Sequence, residues 1–74
     1  MKYFKVQINT GYDYYRIYPD DTWEYYDTNE KRWYKLSDWN YTGKYAKMPW
    51  TEYIKEMDYN LEEVDEEELF LETL

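Results

Sequence analysis

Residues 2–36, KYFKVQINTGYDYYRIYPDDTWEYYDTNEKRWYKL, decide the fold of this chain. In residues 2–8 the apolar side chains alternate with polar or amphipathic ones, which is the pattern of a strand with one face in a core. Residues 13–18, 22–26 and 31–36 are further short aromatic runs, and Gly, Pro, Asn or Asp separates each run from the next. The sequence therefore predicts a four-stranded antiparallel β-meander over about residues 2–36.

Residues 49–58 carry the pattern of a helix. Pro49 is favoured in the first turn of a helix because its nitrogen has no hydrogen to donate. Four apolar residues then follow at positions i, i+3, i+4 and i+7, namely Trp50, Tyr53, Ile54 and Met57. Such spacing places all four side chains along one stripe. We expect this helix to pack on one face of the sheet.

A second, shorter helix is predicted over about residues 66–73. Asp65 lies at the expected N-cap, and Glu68 three residues later completes a variant of the capping box. The preceding segment 61–64 fits either a fifth strand or an extended linker. The predicted class is therefore α+β, with residues 1–74 forming a single small domain.

Large rings must supply the core of this 74-residue chain, because aromatic residues make up 24% of it and include 12 Tyr and 4 Trp. Residues 37–48 show neither the strand period nor the helix period. We expect Trp39, Tyr41 and Tyr45 to place their rings over one end of the sheet.

The charge of the chain is unevenly distributed. Residues 1–48 contain seven acids and eight bases, whereas residues 49–74 contain ten acids and one base. The first part is thus a near-neutral aromatic β part, and the second is an acidic helical part with a net charge of −9. A sign asymmetry of this kind affects the choice of partner more than the fold.

The residue types argue against an enzyme. The chain has no His and no Cys, which removes the commonest general base, the thiolate nucleophile and two main metal ligands. Ser37 is the only Ser, and the two Gly residues are too far apart for a phosphate-binding loop. We therefore predict a non-enzymatic protein without a cofactor or a metal site.

No segment predicts a membrane association. The chain contains no apolar run near the roughly 20 residues that a membrane helix needs. Residues 1–15 also lack the apolar stretch of a signal peptide. We expect a cytoplasmic protein.

The acidic end suggests a partner with a basic surface. Under this hypothesis the carboxylates imitate a nucleic-acid backbone and block a DNA- or RNA-binding enzyme, as small acidic inhibitors of phages and plasmids do with a similar composition. The candidate contact residues are Glu56, Glu62, Glu63, Asp65, Glu66, Glu67, Glu68 and Glu72.

Two alternatives remain open. In the first, the protein is an aromatic-sheet adaptor, and its acids only complement helix dipoles and keep it soluble. In the second, an exposed sheet face stacks single-stranded bases beside Lys5 and Arg16, although the net charge of −8 opposes phosphate binding. The aromatic residues predicted on that face are Tyr3, Tyr14, Tyr18 and Tyr26.

Overall fold

The computed structural model describes residues 1–36 and 43–73. The antiparallel strands form one sheet in the order β4-β3-β2-β1-β5, and two helices complete an α+β fold, which confirms the predicted class. Along the chain the elements are β1 (Lys2–Ile8), β2 (Gly11–Ile17), β3 (Trp23–Asp27), β4 (Arg32–Tyr34), α1 (Trp50–Met57), β5 (Leu61–Val64) and α2 (Glu66–Glu72).

The sheet has five strands, so the prediction of four was one strand short. The segment that fitted either a strand or a linker forms β5 and pairs with β1, with Tyr3 opposite Val64 and Lys5 opposite Glu62. This pairing occupies the second edge of β1, whose backbone N–H and C=O groups would otherwise lack partners within the sheet. Residues 49–74 therefore contribute a strand as well as two helices.

The turn between β2 and β3 caps the N-terminus of α1. Pro49 is the N-cap residue, one position earlier than the predicted first turn, and its side chain makes no capping bond. Instead, the Trp50 N–H donates to the Asp21 carbonyl at 2.9 Å. The Thr51 hydroxyl donates to the Asp21 carboxylate at 2.7 Å. Asp21 therefore supplies from a distant turn the acceptors that a helix N-terminus requires.

Helix α1 covers one face of the sheet with aromatic rings, which confirms the predicted stripe. Tyr53 stacks on Trp23 with 4.2 Å between ring centroids and 27° between planes. Ile54 and Met57 are half-buried against the same cluster. The fully buried members of the cluster are Val6, Tyr15, Trp23, Trp50 and Tyr53. Offset aromatic pairs of this kind stabilise a core beyond the area that they bury.

The segment before α1 also packs on this face. Tyr45 meets Tyr53 edge to face with 5.8 Å between centroids. The Trp23 indole N–H donates to the Met48 carbonyl at 2.8 Å. The expected positions of Trp39 and Tyr41 lie outside the described residues.

Helix α2 covers the opposite face, where the sequence predicted no helix. The Leu69 side chain is buried there against Tyr14 and Val64. Tyr3, Tyr26 and Trp33 are partly buried around these three residues. Both faces of the sheet are therefore covered, each by one helix.

We predict that Trp50→Ala lowers the free energy of unfolding by about 3–5 kcal/mol, because it removes a large buried ring and leaves a cavity. Ile54→Ala should cost less, since Ile54 is only half-buried. Urea denaturation would measure both changes. Phe70→Ala, which removes a ring that is 63% exposed, is the control and should change stability by less than about 0.5 kcal/mol. Equal free energies of unfolding for the Trp50→Ala and parent proteins would contradict the assigned core.

Alkaline pH should destabilise the protein. Burial raises the pKa of Tyr15 far above its usual value and raises the pKa of Tyr53 to about 12. The unfolded chain loses these protons near about pH 10, whereas the native protein keeps them. The native state therefore binds more protons above about pH 10, and the free energy of unfolding falls as pH rises further.

Urea midpoints measured from about pH 9 to about pH 11 test this expectation. Tyr53→Phe should reduce the decline, whereas Tyr12→Phe, which alters a ring that is 41% exposed, should leave it unchanged. A midpoint that stays constant over this range would refute the prediction.

Candidate interaction surface

The acids predicted to bind a partner lie mainly on β5 and α2. We call the carboxylates between residues 61 and 72 the acidic surface, and it consists of Glu62, Glu63, Asp65, Glu66, Glu67, Glu68 and Glu72. The buried Leu69 holds α2 on the sheet, and the β1–β5 pairing holds β5 beside it. The seven carboxylates are therefore carried by elements that are fixed to the rest of the fold.

Lys5 lies beneath the acidic surface and is only 8% exposed. Its ammonium nitrogen is 3.1 Å from a carboxylate oxygen of Glu72, 3.6 Å from one of Glu62 and 3.9 Å from one of Glu68. The hydrogen bond to Glu72 raises the pKa of Lys5 and outweighs the opposing effect of desolvation. One cation therefore holds together three of the predicted contact residues.

Two more predicted contact residues have partners within the protein. The Asp65 carboxylate accepts the Glu68 backbone N–H at 2.7 Å, which confirms the predicted N-cap of α2. The Glu56 carboxylate on α1 accepts a hydrogen bond from the Lys44 ammonium, and both residues are exposed. Glu56 therefore belongs to a separate ion pair and not to the acidic surface.

Glu63, Glu66 and Glu67 are the remaining predicted contact residues. Glu66 and Glu67 lie on α2, whereas Glu63 lies on the edge strand β5, where it alternates with Glu62 and is on the α1 side of the sheet. All three are exposed, and none forms an ion pair with another residue in the ranges 1–36 and 43–73. Glu66 and Glu67 also lie in the first turn of α2, where negative charge complements the helix dipole. With seven carboxylates against the ammonium of Lys5, the acidic surface has a net charge of −6.

Exposed apolar side chains accompany these acids. Phe70 and Leu71 follow Leu69 on α2, and each is 63% exposed. Three consecutive apolar residues cannot all face the sheet, because successive side chains on a helix are about 100° apart. That spacing was the available signal for an exposed pair, but the sequence alone does not say which of the three residues is buried.

The predicted exposed face is wrong for Tyr14 and Lys5, which are both buried. Tyr14 is 7% exposed beneath α2, next to the buried Lys5. Tyr3, Tyr18 and Tyr26 are half-buried. The face was expected to be open because the short acidic helix was not placed on it. The packing of Leu69 against Tyr14 and Val64 closes it.

A polar cluster occupies the rest of this face. The Glu24 carboxylate accepts hydrogen bonds from Arg16, at 2.7 Å, and from the Tyr18 hydroxyl. Partial burial favours a higher pKa for Glu24, but the bonds from Tyr18 and Arg16 outweigh it and lower the pKa. The Arg16 guanidinium also lies 4.7 Å from the centre of the Trp33 ring. The positive charge of Arg16 is therefore already satisfied within the protein.

A groove of about 180 Å³ runs along α2 between the helix and the sheet. Aromatic rings form much of its wall, and the remaining atoms come from both helix and strands. The lining residues are Tyr3, Arg16, Trp33, Glu66, Leu69, Phe70 and Thr73.

Comparisons with protein-family models, with curated proteins and with solved structures found no match to this chain. Over the part of the chain that the structure describes, neither helix is long and apolar enough to cross a membrane. In residues 1–36 and 43–73, no group of three or more acidic side chains is arranged to hold a metal ion.

We predict that Lys5→Met weakens the attachment of α2. The variant keeps the length of the side chain but leaves Glu62, Glu68 and Glu72 without their shared cation, so the three carboxylates repel one another. The melting temperature should fall, and amide hydrogens of α2 should exchange faster relative to those of β2. Calorimetry and hydrogen exchange would measure the two effects.

Lys2→Met on the same strand is the matched control, because Lys2 is exposed and lies outside this cluster. It should leave the exchange of α2 unchanged. Unaltered exchange in α2 after Lys5→Met would show that Lys5 does not hold this helix in place.

Proposed function

We propose that this chain is a non-enzymatic interaction protein that binds a basic protein surface through its acidic surface. In this proposal it inhibits a DNA- or RNA-binding protein by occupying the place of the nucleic acid. The observation that carries the proposal is the division of the carboxylates into two sets. Lys5 fixes one set from below, while Glu63, Glu66 and Glu67 stay exposed and unpaired among the described residues.

A fixed set of acids binds more efficiently than a flexible acidic tail. Ordering a flexible segment on binding costs conformational entropy, whereas β5 and α2 are already held by backbone pairing, by Leu69 and by Lys5. The net charge of −6 on this surface would also speed association with a basic partner and slow association with an acidic one.

The spacing of the acids is compatible with mimicry of a nucleic-acid backbone. Residues such as Glu68 and Glu72, four positions apart on α2, have Cβ atoms about 5–6 Å apart. One strand of DNA carries one phosphate per about 3.4 Å of helix axis. The Cβ spacing of Glu68 and Glu72, which share Lys5 as a cation, and the axial spacing of phosphates are of the same order, which supports the proposal that a phosphate-binding groove accepts carboxylates carried on α2.

The second candidate is an adaptor whose acids only stabilise and solubilise it. The observation in its favour is that five of the eight predicted contact residues have partners inside the protein: Glu56, Glu62, Asp65, Glu68 and Glu72. Single-stranded nucleic-acid binding is less favoured, because Tyr14 and Lys5 lie beneath α2 and the net charge of −8 repels phosphate.

The triple variant Glu63→Gln, Glu66→Gln, Glu67→Gln tests the proposal, because it removes three outward charges and leaves the Lys5 contacts intact. Tagged parent and variant proteins are compared in capture experiments from a lysate, with mass spectrometry of the bound proteins. The parent should recover a basic nucleic-acid-binding protein that duplex DNA displaces. The triple variant should bind that protein at least about threefold more weakly, since each exposed charge contributes about 0.2–1 kcal/mol.

The control is the triple variant Glu30→Gln, Glu52→Gln, Asp58→Asn, which changes the net charge equally at exposed positions outside the acidic surface. It should bind as the parent does. Binding that is insensitive to salt, or equal for the parent and both variants, would favour the adaptor and contradict the proposal.

A further inference from the structure

Phe70 and Leu71 are exposed large apolar residues beside the unpaired acids of α2. Each is 63% exposed, although α2 already buries Leu69 to hold itself on the sheet. The attachment of the helix therefore does not explain the pair. Large apolar side chains next to charged ones at a surface are typical of contact sites for other proteins.

Only one of these two side chains borders the groove. Phe70 lines it together with the rings of Tyr3 and Trp33, whose centroids are 6.2 Å apart, whereas Leu71 is not among its lining residues. The volume of about 180 Å³ lies below the roughly 300–1,000 Å³ of small-molecule sites. The groove therefore suits one large side chain of a partner better than a whole ligand.

The charges around the groove indicate which partner would supply that side chain. Arg16 is neutralised by Glu24, so Glu66 is the charged residue of the groove lining that forms no ion pair with the described residues. A second copy of this chain would bring its own net charge of −8 and would be repelled. A segment rich in Lys and Arg would instead be attracted.

We propose that the groove beside Phe70 seats a large apolar side chain from a basic segment of the partner protein, with a neighbouring Lys or Arg of that segment facing Glu66. This inference rests on the proposed function and adds an apolar anchor to it. The carboxylates speed the encounter, and the anchor slows dissociation, because buried aromatic contacts dominate the binding energy of most interfaces.

Two synthetic peptides test the anchor. The first has three basic residues on each side of a central Phe, and the second has Ala in place of that Phe. Isothermal titration at low ionic strength would measure both affinities, and the Trp33 indole N–H resonance would report occupation of the groove. The parent should bind the Phe peptide about tenfold more tightly than the Ala peptide, the order of effect expected from burying one large apolar side chain.

Phe70→Ala should reduce this ratio to near one, while Leu71→Ala, equally exposed but outside the groove, should preserve it. Circular dichroism would confirm that both variants are folded. An equal loss of the ratio in both variants, or a ratio near one for the parent, would overturn the inference. So would a parent dimer that Phe70→Ala converts to a monomer, since the groove would then be occupied by a second copy.

The variant Glu63→Gln, Glu66→Gln, Glu67→Gln separates this inference from the proposed function. It should weaken binding of both peptides by the same factor and keep the ratio between them. If the triple variant leaves both affinities unchanged and the ratio persists, the proposed role of the carboxylates is wrong and the proposed apolar contact in the groove is supported. If the triple variant binds both peptides more weakly and the parent shows no preference for the Phe peptide, the proposed apolar contact is wrong and the proposed role of the carboxylates is supported.

Discussion

The stacking of Tyr53 on Trp23 is the contact on which the arrangement of α1 and the sheet depends. A chain of 74 residues with few aliphatic side chains can bury enough apolar surface only by packing large rings on one another. Trp50 and Tyr15 extend the same stack across the sheet. The Trp23 indole, held to the Met48 carbonyl, also fixes the segment that leads into α1. The rings therefore set both the position of the helix and the path of the chain before it.

The opposite face of the sheet is closed by different chemistry. Leu69 supplies the apolar contact of α2, and Lys5 supplies a cation under carboxylates that would otherwise repel one another. Paired charges near a protein surface contribute little to stability when isolated, but several carboxylates around one shielded ammonium form a network. The same arrangement that attaches α2 also leaves Glu66 and Glu67 facing outward. The packing that attaches α2 to the sheet is thus also the packing that leaves Glu66 and Glu67 exposed.

The features that could be predicted from the sequence were those that depend on the spacing of residues close together in the chain. The stripe that begins at Trp50 and the N-cap at Asp65 depend on residues within a turn or two of each other. The pairing of β5 with β1, the cap that Asp21 gives to α1 and the position of Lys5 under α2 depend on residues far apart in the chain. The acidic surface could likewise be located from composition, but which carboxylates stay unpaired depends on where Lys5 lies. Local patterns carry no information about such distant neighbours.

The order of the strands also bears on the tendency of this sheet to pair with other strands at its edges. A sheet edge offers unpaired backbone groups to any other strand, and runs of aromatic residues are prone to stack into fibrils. One edge here is β4, which is only three residues long, and the other is β5, which carries Glu62 and Glu63. A short strand offers few backbone groups for pairing, and a charged strand repels a copy of itself. We therefore expect the acids of β5 to oppose edge-to-edge pairing of two sheets, an effect that does not depend on any partner.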